Sequence, residues 1–449
     1  MFGQALAIAR NTFIESLRQP VTFVLVVAGG LLQIFNTLLS GYSMGYTEKT
    51  EVSGDNKLLL DVGLATVLVL ATLLSAFLAT SVLSREIENR TALTVISKPV
   101  PRPLFVVGKY LGVSATIVLC TIIMLIFFSF AIRHQVMSTA RDHLDGPVVL
   151  FSTLAVLTAI GIGIWGNYFY GWVFASTAVG FMLPLVAAAY VATLFVSKEW
   201  TIQAIGTDIK PQIMIASACV VLAMLVLSAV AVCASTRLGQ VMTIVVCAGV
   251  FMLGLMSNHL LGRAAFRSAP VAGVRAVEVP REQAGLARAG ETVTVVFDSP
   301  PRITLDVGDA LYFAPDPAGL RMQTPSQRPF SGDVNSQAAV SAADAGPALV
   351  IQKLEPPARY TLVNVGNLAV KRLPQERDYF FAAPTRQNLL ARAAWSIAPN
   401  MQVFWLVDPI TQGHAIPGRY VLMVAAYAAV QVTGLLALAT LLFQGRDLG

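Results

Sequence analysis

Eight runs of mostly apolar residues dominate this chain, at roughly 21–40, 58–83, 104–131, 148–165, 170–196, 212–234, 240–261 and 419–443. A helix of about 20 such residues crosses the ~30 Å hydrocarbon core of a bilayer. Only 12% of the residues are charged and 55% are hydrophobic, whereas soluble domains carry about 25% charged residues. One buried core cannot hold so much apolar surface in a chain of 449 residues, because single cores stop growing at about 250–300. The excess must face lipid. This excludes an ordinary soluble protein, a disordered tail and a fibrous repeat, and predicts an α-helical polytopic membrane protein.

The separation of the fourth run from the fifth rests on the aromatic link GNYFYG (166–171); the two are either separate spans or one broken element. Pro184 is expected to kink the fifth run. An even number of spans puts both termini on one side. Residues 1–20, 84–109, 235–239 and 444–449 carry seven arginines (Arg10, Arg18, Arg85, Arg90, Arg102, Arg237 and Arg446), and the opposite short loops carry two, Arg133 and Arg141. Cytoplasmic loops are enriched in Lys and Arg, so both termini are expected in the cytoplasm. The net charge of +6 lacks the clustered basic and aromatic residues of a nucleic-acid surface. Cys120, Cys219, Cys233 and Cys247 all lie within apolar runs and read as buried thiols.

Residues 262–418 are a different material, holding 15 of the 31 basic residues, 13 of the 25 acidic ones and 16 of the 23 prolines. ETVTVVF (291–297), RITLDV (302–307), ALVIQKL (348–354) and RYTLVNV (359–365) alternate with the period of half-buried strands. Residues 323–347, rich in Gln, Ser, Ala and Pro, read as a long loop. A β-rich domain over 262–390 is expected, inserted between the last two spans and on the outer side. Residues 391–418 mix apolar and aromatic residues with Pro399 and Pro409. They are too broken to span, and read as a re-entrant or interfacial segment, or else as a loop against the β domain. The last span and tail occupy 419–449.

Two short stretches stand out at the inner face. In residues 1–20, Phe2, Leu6, Ala9, Phe13 and Leu17 recur at helical spacing, with Arg10, Asn11, Glu15 and Arg18 elsewhere; this predicts an amphipathic helix lying in the headgroup plane. In the loop 84–103, Ser84 is placed to cap a helix with Glu86 and Glu88 in its first turn. Pro99, Pro101 and Pro103 would end it in a stiff connector. Such an element is either a lever for a cytoplasmic partner or a solvated loop. Lys109 and Asp61 sit near span ends and are expected to reach water, and GKYLG (108–112) has the spacing of a helix-packing motif. The sequence contains no GxxxxGK[ST] phosphate loop or HExxH, and it is read as offering neither catalytic nor metal-ligating residues. Without a nucleotide site or an intramembrane charge relay, transport would need energy from a separate ATPase.

At these residues the sequence resembles the permease subunits of ABC type-2 transporters, a mostly exporter-type membrane family. ARNTFIESLRQP (9–20), with Phe13, Glu15 and Arg18, is similar to the family's interface helix. REIENRTALTVISKPVPRPLFVVGKYLG (85–112) is similar to its coupling loop, the matching positions being Glu86, Glu88, Arg90, Thr91, Lys98, Pro99, Arg102, Gly108 and Lys109. AVCASTRLGQ (231–240), the outer segment APNMQVFWLVD (398–408) and the ending LLFQGRDLG (441–449) also resemble family features. The resemblance implies a six-span core, to which 148–196 adds a pair and 262–390 a domain. It implies a multi-pass protein of a bacterial inner membrane, with a cytoplasmic ABC ATPase and a second permease copy or paralogue as partners. ATP and Mg²⁺ would then bind the partner ATPase and no cofactor this chain. The β-rich domain could meet a periplasmic partner, and no nucleic acid is expected. The competing reading is a non-transporting membrane scaffold or sensor whose outer domain binds an envelope partner.

Overall fold

The computed structural model describes residues 2–40, 54–84, 101–136, 144–279, 286, 288–317, 330, 332–342, 349–355, 358–365, 372–411 and 415–444. They form two compact units, Met1–Met256 with Pro399–Gly449, and Ser257–Ala398.

The first unit is helical. An N-terminal helix α1 (Phe2–Arg18) is followed, after a break at Gln19, by α2 (Pro20–Leu39). Then come α3 (Gly54–Ala79), ending in a π-helical turn Thr80–Ser84, α4 (Arg102–His134), α5 (Gly146–Tyr170), α6 (Phe174–Phe195), α7 (Pro211–Ser235) and α8 (Gln240–Ser257). The chain returns to this unit at Pro399. Among the described residues eight helices are long and apolar enough to cross a membrane, α8 being counted through Ala265 and the last running from Gly418 to Gln444.

The fourth and fifth apolar runs are separate helices. Asp145 caps α5 by accepting from the Val148 N–H at 3.1 Å, and Gly171 ends the helix in the left-handed region at φ 66°, a conformation that a residue with a Cβ enters at a cost. Pro184 lies within an uninterrupted α6. α4 is the axis of the unit: at 33 residues it is about 50 Å long, and it packs against α1, α2, α3, α6, α7 and the last helix. It extends past the expected boundary near residue 131, so Arg133 belongs to the helix rather than to a loop.

Several polar side chains inside the bundle are tied to backbone carbonyls. Gln33 and Asn36 on α2 donate to the carbonyls of Gly63 and Leu59 on α3, each at 2.9 Å. In hydrocarbon such bonds between helices replace the missing water. The segment after Pro399 is also drawn into this unit. A 3₁₀ turn Met401–Phe404 and a short helix Val407–Thr411 bury Met401, Phe404, Val407 and Ile410. The Tyr427 hydroxyl accepts from the Asn400 N–H at 2.8 Å, the Tyr420 hydroxyl donates to the Val403 carbonyl at 2.8 Å, and Gln212 accepts from the Ile416 N–H at 3.0 Å. Residues 399–411 therefore pack among the helices of this unit.

The second unit is built on a six-stranded antiparallel sheet. With β1 (Phe266–Arg267), β2 (Ala272–Glu278), β3 (Thr292–Phe297), β4 (Tyr312–Ala314), β5 (Val350–Glu355), β6 (Arg359–Val363), β7 (Tyr379–Phe381) and β8 (Arg386–Gln387), its order is β4-β7-β2-β3-β6-β5, and β1 pairs separately with β8. Alternation along β3 turns Val293, Val295 and Phe297 to the core. There Phe297 meets Tyr360 (ring centroids 4.9 Å) and Phe380 (5.6 Å), and Phe380 stacks on Phe313 (5.7 Å). On the sheet edge, Lys353 Nζ lies 2.8 Å from Glu355, and this bond, with Arg359 nearby, holds the Glu355 carboxyl below the usual carboxylate range.

RITLDV (302–307) is not a strand. Pro300 and Pro301 precede it, and the chain then turns through Asp306–Asp309, the Asp306 N–H donating to Asp309 at 2.9 Å, with Gly308 at φ 99°. Alternation there was overridden by turn chemistry. Of the expected loop 323–347, residues 337–342 form a short helix, whose Val340 packs with Val350 and Val363.

Phe380→Ala removes the ring at the centre of this core and is expected to cost ~3–5 kcal/mol. Limited proteolysis of the intact chain should then cut within 272–381 at temperatures where the wild-type chain resists.

Candidate functional site

The site is assembled where α1 crosses the N-terminal half of α4. Small residues set the approach: Ala5, Ala9, Thr12 and Ser16 are the buried stripe of α1, spaced by four, three and four. They meet Gly108, Gly112 and Thr116 on α4. A Cβ at Gly112 would lie 2.5 Å from both the Ala9 carbonyl oxygen and the Thr12 Cβ, and one at Gly108 would lie 2.8 Å from Ile8. The Thr116 hydroxyl reaches the Gly112 carbonyl at 3.2 Å and the Phe13 carbonyl at 3.4 Å.

The packed face is thus rotated from the large apolar stripe expected along α1. Of that stripe Ala9 and Leu17 are buried, Phe13 is half-buried, and Leu6 is 60% exposed. The reason is physical: in lipid, apolar side chains gain nothing from being buried against one another, so helices associate where small residues let backbones come close. GKYLG was legible as that signal, and its partner is α1.

Charge follows the same crossing. Lys109 does not reach out to water. It is 5% exposed, with its Nζ 4.0 Å from Glu15 Oε2 and 5.6 Å from the centre of the Phe105 ring. Close packing over Gly108 and Gly112 holds α1 across the path a snorkelling lysine would take. Arg18 is exposed in the last turn of α1, where a cation complements the helix dipole. Arg102, in the first turn of α4, donates to the carbonyl of Gln444 at 2.9 Å. Gln444 ends the last helix, α12 (Gly418–Gln444), so Arg102 satisfies a carbonyl the helix itself cannot. One turn further in, the buried rings of Phe105 and Phe443 stack at 5.7 Å. Glu86, Glu88, Arg90, Thr91 and Lys98, and the helix expected around them, lie outside the described residues. Among the sequence-chosen residues, then, the structure joins Glu15 to α4 through Lys109 and Arg102 to the end of α12.

A second constellation was not legible in the sequence. At the far end of α4 the buried Arg133 lies 3.5 Å from Asp145 and 3.2 Å from Asp208, and donates to the carbonyls of Thr193 and Val196. Asp208 also accepts from Gln203 at 2.6 Å, and Lys198 donates to the His134 carbonyl at 3.0 Å. This ties α4, α5, α6 and the turn before α7 together. No local signal announces it, because its acids are far from Arg133 in sequence. Among the described residues no three His, Cys, Asp or Glu side chains are grouped to hold a metal ion.

Two substitutions separate these contacts. Gly112→Ala drives a methyl into the backbone of α1 and should lower the melting temperature in detergent, whereas Gly249→Ala, with open space around it, should leave it unchanged. Arg133→Ala strands Asp145 without its cation and is expected to cost ~3–5 kcal/mol, read as a lower melting temperature that Arg133→Lys does not restore, since one ammonium cannot serve four partners in a planar fork.

Residues 6–165 match the family model described as ABC-2 family transporter protein. No curated protein and no solved structure matches the chain. The matched stretch runs from the second turn of α1 through the crossing on α4 and into α5. Among the described residues eight helices are long and apolar enough to cross a membrane, and residues 6–165 of this multi-pass membrane protein are similar to ABC-2 family transporter proteins.

Proposed function

We propose that this chain is the permease subunit of an ATP-binding cassette exporter, moving a substrate across a bacterial inner membrane with energy from a separate cytoplasmic ATPase. The observation that carries the reading is the junction of α1, α4 and α12, lying within or beside the family match. The loop 84–103 leads directly into α4, whose first turns are fixed to α12 through Arg102 and Phe105 and to α1 through Gly108 and Gly112. A force applied to that loop is therefore passed to three helices together. ATP and Mg²⁺ bind the partner ATPase, whose closure pushes on Glu86, Glu88, Arg90, Thr91 and Lys98 and on the exposed Arg18. The chain pairs with a second permease copy or paralogue, and access alternates along the surface between them. Both termini face the cytoplasm, and the sheet unit projects from the other side.

The independent sheet unit favours one other reading, a membrane scaffold or sensor that binds an envelope partner. Affinity purification of the full chain in mild detergent separates them. A co-eluting protein with a GxxxxGK[ST] motif supports the permease, and its reproducible absence supports the scaffold. With the ATPase in hand, Glu86→Lys combined with Glu88→Lys should reduce transport-coupled ATP hydrolysis at least several-fold while membrane insertion stays intact. Full coupled turnover in the double variant would remove loop 84–103 from the coupling role.

A further inference from the structure

The helix α10 (Leu389–Ile397) presents the wrong face to its own protein unless something apolar lies outside it. At 100° per residue, Leu389, Leu390, Ala393, Ala394 and Ile397 share one side and Trp395 occupies the other. Trp395 is the anchored side. Its indole N–H donates to Asn258 Oδ1 at 3.2 Å, and its ring stands edge-on to Phe266 at 5.8 Å. The leucine side turns outward, with Leu389 75%, Leu390 85% and Ile397 76% exposed. A helix on a water-soluble domain buries such a stripe.

Its location says what covers it. Asn258 belongs to the π-helical turn that continues the apolar helix Gln240–Ala265. At 26 residues that helix is about 39 Å long and exceeds the ~30 Å hydrocarbon core, so its last turns stand at headgroup depth. α10 packs against those turns. Arg263, Arg386 and Arg392 around it are exposed, the cations that suit lipid phosphates, and a half-buried Trp395 is a residue of membrane interfaces. Asn388 caps the helix by accepting from the Leu390 and Ala391 N–H groups, so its start is satisfied without water.

We infer that α10 is a membrane-interface anchor: its Leu389–Leu390–Ile397 face lies in the acyl–glycerol boundary of the leaflet where Gln240–Ala265 ends, with Arg386 and Arg392 toward phosphates. This reading is independent of what the chain transports.

The four native thiols are buried, so a thiol-reactive, polarity-sensitive fluorophore placed at Leu390→Cys in the full-length chain reports that position, with Lys353→Cys, an exposed edge-strand site, as reference. After reconstitution in phosphatidylcholine–phosphatidylglycerol vesicles, the label at 390 should emit to the blue of that at 353. It should also be quenched several-fold more by lipids bearing a nitroxide near the headgroup, and several-fold less by iodide. Equal iodide quenching at the two sites would show an aqueous face and overturn the anchor. A label at 390 shielded from both iodide and nitroxide lipid would show a protein-covered face, such as a second copy, and would overturn it equally.

Discussion

Inside a bilayer no water is present to satisfy a backbone or side-chain polar group, and much of the helical unit answers to that constraint. Hydroxyls bend back onto their own helices, as Thr72 does to Leu68 at 2.7 Å and Ser75 to Ala71 at 2.8 Å. Amides reach across to neighbouring carbonyls, as Gln33 and Asn36 do to α3. The segment 399–411 packs among helices, with Tyr420 and Tyr427 bonding its backbone.

The same constraint chooses how helices meet. Without a hydrophobic drive between them in lipid, proximity depends on small side chains and a few polar ties. The crossing of α1 on α4 has both, in Gly108, Gly112 and Thr116 and in Lys109 with Glu15. At its other end α4 is held by Arg133 between Asp145 and Asp208. Both ends of α4 are thus tied to neighbouring elements of the helical unit. The sheet unit follows water-soluble rules instead: alternating strands, an aromatic core and a charged edge.

Much of this was legible in residues taken in order. Apolar runs located the spans because a helix in lipid must be apolar over a fixed length, whereas the link GNYFYG left open whether α5 and α6 were one element or two, which the structure answers at Gly171. Strands β3, β5 and β6 showed their alternation, whereas β2, β4 and β7 are short or interrupted and were found only through their partners. RITLDV alternates yet turns, because two prolines and an Asp–Gly turn outweigh pattern. For the site, Glu15, Arg18, Arg102 and the GKYLG spacing were visible. Which face of α1 packs was not, since hydrophobicity ranks side chains by their dislike of water and contact in lipid is decided by their size.

The sequence by itself determined that this protein lives in a membrane, that it carries eight apolar runs, that a β-rich insert precedes the last of them, and that charge gathers on a short loop before α4. These are local properties, set by run length, period and composition. Only the tertiary structure decided that Lys109 is buried beside Glu15, that Arg102 closes the end of α12, that Arg133 gathers two distant acids, and that α10 turns its leucines outward. Each joins residues remote in the chain, and such pairings depend on the geometry of packed helices, which no window along the sequence contains.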